Sequence, residues 1–496
     1  MAQQQAPHFR VAIVGSGFGG LGMAIRLEQA GEQDFVILER AGDVGGVWRD
    51  NTYPGCACDV QSHLYSFSFA PNPDWSRAYS GAAEIHAYLR DCAQRFGLQP
   101  HLRLGAEVRE ARWEEGAQRW RVETAGGTLT AQVLVSAAGA LSDPAIPALP
   151  GLERFRGKVM HSARWDWSHE LRGRQVAVVG TGASAIQFVP RIQPQVAKLV
   201  LLQRTAPWVL PHLDHAIPAF MRRLYRALPL AQKLVRGLIY AARELMALGF
   251  LHPRLMQRAQ KLALRHLARS VPDPVLREKL TPHYTLGCKR VLLSNDYLPA
   301  LTQPNVEVVT AGLRELREHS LVTADGREHP VDTLILGTGF QVTDPPIAHH
   351  VRGRDGRTLA QTWAGSMRAY AGTTVAGFPN FFMLPGPNTG LGHTSMVTML
   401  ESQFEHVLGA LRYLEARGLA AVEPRADAQA RYVSEVDARM RHTVWAQGGC
   451  HSWYLDATGR NSTLWPGFTF SFRRRVASFE PSDYLALPQA REARRG

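Results

Sequence analysis

Two glycine-rich loops carry the first chemistry legible in this chain. Gly15-Ser-Gly17-Phe-Gly-Gly20 and Gly180-Thr-Gly182-Ala-Ser-Ala185 have the spacing that lets a backbone turn tightly and approach a pyrophosphate. Two such loops imply two nucleotides, and a protein holding two can pass a hydride between them. The residue at the end of each next strand separates their ligands. Glu39 lies 19 residues beyond Gly20, where a carboxylate binds ribose hydroxyls. The strand ending at Gln203 leads instead into Arg204-Thr205, and an arginine there takes a 2′-phosphate that a carboxylate would repel. FAD is expected at the first loop and NADPH at the second.

Each loop needs a βαβ unit around it. Val11-Ala-Ile-Val14, an amphipathic helix to about Ala30 and Phe35-Val-Ile-Leu38 supply the first; Gln175–Val179 and Leu199–Gln203 bracket the second. Val133–Gly139 and Asp332–Phe340 each read as a strand running into a glycine turn, and both resemble the crossover motifs of flavoproteins that carry two dinucleotide folds. Leu141–Gly151 has proline at every third position, a stiff linker. The expected fold is α/β, with two dinucleotide-binding, Rossmann-like domains, the second carrying a helical insert and the FAD domain discontinuous. Residues 1–145 form the first part of the FAD domain, 146–210 and 281–340 the NADPH domain, 211–280 the insert, and 341–496 the remainder of the FAD domain with a C-terminal segment.

The reduced flavin needs an electron acceptor. A disulfide reductase requires a redox-active cysteine pair, and the only close one is Cys56-Ala-Cys58. In an extended chain their Cα atoms lie roughly 6.6–7.2 Å apart, at or beyond disulfide reach. There is no CxxC, and no His or Cys cluster has metal spacing, so no metal is expected. Oxygen or a protein acceptor remains.

The segment Phe155-Arg-Gly-Lys-Val-Met-His161-Ser-Ala-Arg-Trp165-Asp166 resembles the fingerprint of type I Baeyer–Villiger monooxygenases; related N- and S-oxygenases usually carry Tyr where this chain has Trp165. Gly45-Gly46-Val-Trp48-Arg-Asp-Asn-Thr-Tyr53-Pro54-Gly55-Cys-Ala-Cys-Asp59 is similar to a second signature of that family. Gly287-Cys-Lys289-Arg290, Gln203-Arg204-Thr205, Cys450-His-Ser452-Trp453-Tyr454 and the flavin-edge stretch Phe378–Asn388 resemble further family segments. The likeness spans roughly residues 10–210 and 280–470; the insert matches only in position and helical character.

The resemblance implies an FAD- and NADPH-dependent monooxygenase that inserts one oxygen atom of O2 beside a ketone carbonyl, giving an ester or lactone through a C4a-peroxyflavin. Arg290 and Asp59 are the catalytic candidates. The guanidinium would stabilise the peroxide and the oxyanion of the adduct, and Asp59 would hold it in place. His161 is given no chemistry. The cofactor contacts expected are Gly15, Gly17, Phe18, Gly20, Glu39, Arg40, Val47, Trp48, Asp59, Tyr65 and Val108, with Gly180, Thr181, Gly182, Ala183, Ser184, Arg204, Thr205, Lys289, Arg290 and Trp453. Two alternatives stay open: an S- or N-oxygenase of the same superfamily acting on a sulfide or amine, and an NADPH-linked reductase or sensor serving a protein acceptor.

At 496 residues the chain has room for several cores, and 45% hydrophobic with 20% charged residues is an ordinary globular composition. The odd number of cysteines, five and irregularly spaced, argues against a disulfide framework and for a reducing compartment. With a leader-free start at Met1-Ala-Gln-Gln-Gln-Ala-Pro, this gives a cytoplasmic expectation. Of the formal charge of +13, nine come from residues 211–280, which hold 13 basic against 4 acidic side chains. Arg254, Arg258, Lys261, Arg265 and Arg269 recur on one helical face, and Leu230, Leu234, Leu238 and Leu245 on one side of another helix. This insert admits two readings. Its bases make weak contact with an anionic membrane, or its apolar side packs onto the NADPH domain and caps the active site as a lid, leaving the bases merely solvated. No nucleic-acid module accompanies the charge.

Overall fold

The structure is a computed structural model describing residues 6–489, so the first five residues, on which the leader-free expectation largely rests, lie outside the described residues. The first unit opens with β1 (His8–Val14), α1 (Phe18–Gln29) and β2 (Phe35–Leu38). The β1 core residues Val11, Ala12 and Ile13 are wholly buried, as a central strand covered on both faces must be. Short β3 (Leu102–Arg103) extends the edge, and β4 (Val108–Glu114), β5 (Arg119–Thr124) and β6 (Gly127–Ser136) return antiparallel before β6 pairs parallel with β1.

The second unit is a parallel sheet of β7 (Lys158–His161), β8 (Gln175–Val179), β9 (Lys198–Leu202), β10 (Val306–Val309) and β11 (Thr333–Leu336), in the order β10-β9-β8-β11-β7. α1's counterpart here is α2 (Ala185–Ile192), which comes after the second glycine loop. Between β9 and β10 the chain leaves for α3 (Ala219–Ala227), α4 (Pro229–Leu251) and α5 (Pro253–Ser270). The five bases on α5 are exposed, as their spacing predicts.

The chain then re-enters the first sheet. β12 (Val351–Arg352) joins its β4 edge and β13 (Phe381–Met383) pairs parallel with Leu134–Ser136 of β6, so the first domain is discontinuous. The long helix α6 (Met396–Arg417) packs on α1, and a Cβ on Gly22 would meet the Phe404 ring at 2.5 Å. The outgoing and returning linkers run side by side, with Ala145 N donating to Gly339 O at 2.9 Å and Gln341 N to Asp143 O at 2.9 Å.

Two expectations need correction. Cys288 and Cys450 are joined in a disulfide across 162 residues, leaving Cys56, Cys58 and Cys92 free. Count and spacing along the chain are blind to a partner delivered by the fold, so the reducing-compartment expectation loses its cysteine support. The insert's leucines also do not pack inward: Leu230, Leu234, Leu238 and Leu245 are all exposed. Among the described residues no helix is long and apolar enough to cross a membrane.

Candidate active site

The first glycine loop admits no side chain at its first and last glycines. A Cβ on Gly15 would lie 2.5 Å from Ala137 O, and one on Gly20 would lie 1.8 Å from Gly15 O. Gly20 therefore sits under the turn rather than in the cavity, while Gly15, Gly17 and Phe18 line it. Glu39, 4% exposed at the end of β2, has both carboxylate oxygens engaged. One accepts from Ser16 N (3.0 Å) and Ser16 Oγ (2.6 Å), and the other from Ala41 N (2.9 Å), with Arg49 Nη1 at 3.1 Å. Ser16 and Arg49 are functional residues that glycine spacing does not reveal; their only sequence signal is that Arg49 adjoins Trp48 inside the second signature.

These groups open onto a cavity of about 390 Å3, also lined by Arg40, Val47, Trp48, Tyr65, Val108, Trp453 and Arg290. Trp48 Nε1 donates to Tyr65 Oη at 3.2 Å, and Phe18 meets the Tyr65 ring edge-on, so the aromatic wall is fixed by packing. Arg40 reaches Asp143 on the linker at 2.9 Å. The far wall comes from the Leu384-Pro385-Gly386 stretch and from Trp363 and Met367, whose contribution no sequence pattern marks.

Arg290 forms a bidentate pair with Asp59: Nε donates to Oδ2 at 2.6 Å and Nη2 to Oδ1 at 2.7 Å. Residues 231 positions apart are thus brought together. Asp59 stands behind the arginine rather than in the cavity wall. Burial pushes the Asp59 carboxyl up, but the adjacent guanidinium outweighs it and holds the pKa below the ordinary aspartate value. The Asp59 charge in turn raises Arg290 against the cost of burying it, so the cavity wall carries a permanent cation.

Lys289, next in sequence, has its Nζ 5.2 Å from the centroid of the Tyr284 ring. Its pKa is lowered by burial and by the charge of Arg204. Neither has a carboxylate partner among the described residues. Thr181 Oγ1 donates to Thr205 O at 3.3 Å, and a Cβ on Gly182 would meet nothing within 4 Å. Thr181, Gly182, Ala183 and Ser184 do not line the cavity.

The two signature segments prove to be connectors. Tyr53 Oη donates to Gln187 Oε1 at 3.0 Å, Gln187 Nε2 donates to Ala57 O at 3.0 Å, and a Cβ on Gly55 would lie 2.9 Å from Gln187 O. The Pro-Gly turn therefore rests on α2 and ties the two loops together. In the Phe155–Asp166 segment, His161 is buried, its Nδ1 accepts from Ala163 N at 3.1 Å, and it meets Phe340 edge-on. Trp165 packs on Phe188 of α2, and Lys158 pairs with Asp166. Cys56 and Cys58 are unfit for disulfide exchange. Burial pushes the Cys56 thiol up to about 11 and Cys58 further still, so neither supplies a thiolate near neutral pH.

Residues 12–224 match the pyridine nucleotide-disulphide oxidoreductase family. The chain is 55% identical over 490 residues to a Baeyer-Villiger monooxygenase of Streptomyces coelicolor, covering 98% of this chain and 94% of that one. It is 52% identical to a Baeyer-Villiger monooxygenase of Pseudomonas aeruginosa, covering 97% and 92%. Among solved structures it is similar to cyclohexanone monooxygenase from Rhodococcus sp. Phi1 bound to NADP+, with a TM-score of 0.86, 26% identity and coverage of 98% and 100%. A steroid monooxygenase bound to NADP superposes with a TM-score of 0.84 at 30% identity, covering 97% and 100%. Two linked nucleotide loops, no thiolate for disulfide exchange and this near full-length likeness place the chain in the Baeyer–Villiger monooxygenase family.

Proposed function

We propose that the chain is an FAD- and NADPH-dependent oxygenase of ketones, with Arg290 its catalytic cation and Asp59 the group that positions it. FAD would be held in the first cavity, by Glu39 at the ribose, the Gly15–Gly20 turn at the pyrophosphate, and Trp48, Tyr65 and the Val108 backbone at the ring system. NADPH would be held at the second glycine loop, with Arg204 and Lys289 available to its 2′-phosphate and Trp453 to its nicotinamide. On this reading residues 1–145 and 341–496 hold the flavin, and 146–210 with 281–340 hold the nicotinamide nucleotide. Bound flavin, reduced by NADPH, supplies the activation of O2. One oxygen atom enters the bond beside the ketone carbonyl and the other leaves as water.

The carrying observation is Arg290 on the cavity wall, held from behind by Asp59. The carboxylate takes one edge of the guanidinium (Nε and Nη2), while Nη1, which donates to Leu391 O at 3.4 Å, has a second N–H left for a developing oxyanion. Because the arginine cannot lose its proton, it holds negative charge on the reacting oxygen without quenching it. Aromatic and aliphatic walls exclude the water that would do so.

Replacing Arg290 with alanine tests this. Arg290→Ala should purify yellow with FAD and still oxidise NADPH, but ester yield should fall by roughly 100- to 1000-fold, the usual cost of losing one oxyanion donor. Oxygen consumed should be recovered as hydrogen peroxide. Wild-type ester yield from this variant would remove Arg290 from the chemistry.

A further inference from the structure

The insert helix α4 is apolar on two sides. Its inner side packs Val235, Ile239, Tyr240 and Phe250 against the protein and also anchors polar groups: Gln232 Nε2 donates to Asn72 O at 2.6 Å, Arg236 Nη1 to His63 O at 2.6 Å, and Arg243 Nε to Gln61 Oε1 at 2.7 Å. Glu244 accepts from Thr469 N at 3.0 Å. Its outer side is apolar as well, with Leu230 at 70%, Leu234 at 64%, Leu238 at 62% and Leu245 at 68% exposure. A surface helix of a water-soluble protein normally keeps its outer face polar. These leucines recur at intervals of four, four and seven residues, one continuous stripe along a helix about 34 Å long.

The helices on either side extend the same character. α3 exposes Phe220 and Leu224, and α5 exposes Leu255 and Leu262. Around these apolar groups stand Lys233, Arg254, Arg258, Lys261, Arg265 and Arg269, all exposed and none with a carboxylate partner among the described residues. Between residues 215 and 272 the only acid is Glu244, which is buried.

We infer that α3–α5 form a docking face for an anionic membrane surface, with α4 lying in the plane of the interface and its leucines entering the acyl boundary. The charge decides the occupant. A second copy would set unbalanced cations against the same cations, whereas an anionic bilayer offers apolar depth and negative charge together. Spanning the bilayer is not involved, since no described helix is long and apolar enough. The inward hydrogen bonds keep the leucine stripe outward in the free protein, so binding requires no refolding. This inference is independent of the catalytic reading, and its test does not use turnover.

The test is flotation of full-length, FAD-loaded protein with phosphatidylcholine vesicles, with and without phosphatidylglycerol, at low and high salt. The protein should float with anionic vesicles at low salt, float less with neutral ones, and be largely released at high salt as the basic contacts are screened. Changing Arg254, Arg258, Lys261, Arg265 and Arg269 to Gln should lower anionic partitioning by at least about tenfold, since each base near the surface contributes up to about fivefold. The triple change Leu234→Glu, Leu238→Glu and Leu245→Glu should abolish flotation without lowering the melting temperature, because these side chains contact solvent in the free protein. Wild type remaining at the bottom with anionic vesicles at low salt would overturn the inference. So would leucine variants that float like wild type, or a stable wild-type dimer that the leucine variants dissociate.

Discussion

The two glycine loops share a motif and differ in nearly everything built around it. Both first glycines are pinned alike: a Cβ would lie 2.5 Å from Ala137 O at Gly15 and 2.4 Å from Gly337 O at Gly180. At the third position the loops part. Gly20 has a backbone oxygen 1.8 Å from where its Cβ would be, whereas the second loop already carries the methyl of Ala185 there. Beyond the next strand, the first unit ends in a buried carboxylate gripped by Ser16, Ala41 and Arg49. The second ends in exposed Arg204, whose charge acts on Lys289. A carboxylate held on every side suits a cofactor that stays, and an exposed arginine suits one that comes and goes.

Substitutions at the third position should separate the loops most. Gly20→Ala must displace backbone, a cost of about 1–3 kcal/mol or more, and should give protein with little bound flavin and a lowered melting temperature. Ala185→Gly should cost only about 0.5–1 kcal/mol and keep full flavin content. Equal flavin loss from both would erase the distinction. A smaller effect is expected at the strand ends. Arg204→Ala should raise KM for NADPH far more than for NADH, by about 1.5–3 kcal/mol for a lost charged contact. Parallel changes for both nucleotides would place the 2′-phosphate elsewhere.

The smallest effect concerns pH. Burial and Arg204 lower the Lys289 pKa, so its proton is lost at a lower pH than for an ordinary lysine. KM for NADPH should therefore rise as pH increases through that depressed pKa, while KM for NADH stays nearly flat. Removing Arg204 should move the remaining rise to higher pH. An unmoved profile in Arg204→Ala would show that the two cations do not share a phosphate.

Local features were legible in the sequence, and those created by folding were not. The glycine turns, Glu39 and the arginine after Gln203 declare themselves because strand, turn and helix are adjacent in the chain. Asp59 and Arg290 lie 231 residues apart, and only resemblance joined them; nothing in their spacing foretells a bidentate pair. The Cys288–Cys450 disulfide escaped because a count of five says nothing about which thiols a fold brings together. Periodicity correctly put the insert leucines on one side of α4, but it could not say that this side faces out. That depends on Gln232, Arg236 and Arg243 finding partners in the first unit.

The pairing of β13 with β6 sets a timetable for synthesis. β6 leaves the ribosome early, yet its partner over Leu134–Ser136 is made about 245 residues later, roughly 12–50 s at ordinary elongation rates. Throughout that interval the first sheet has an unpaired inner edge and α1 lacks the cover of α6. The second unit and its basic insert are complete before the first can close. In this chain the domain begun first is the domain finished last.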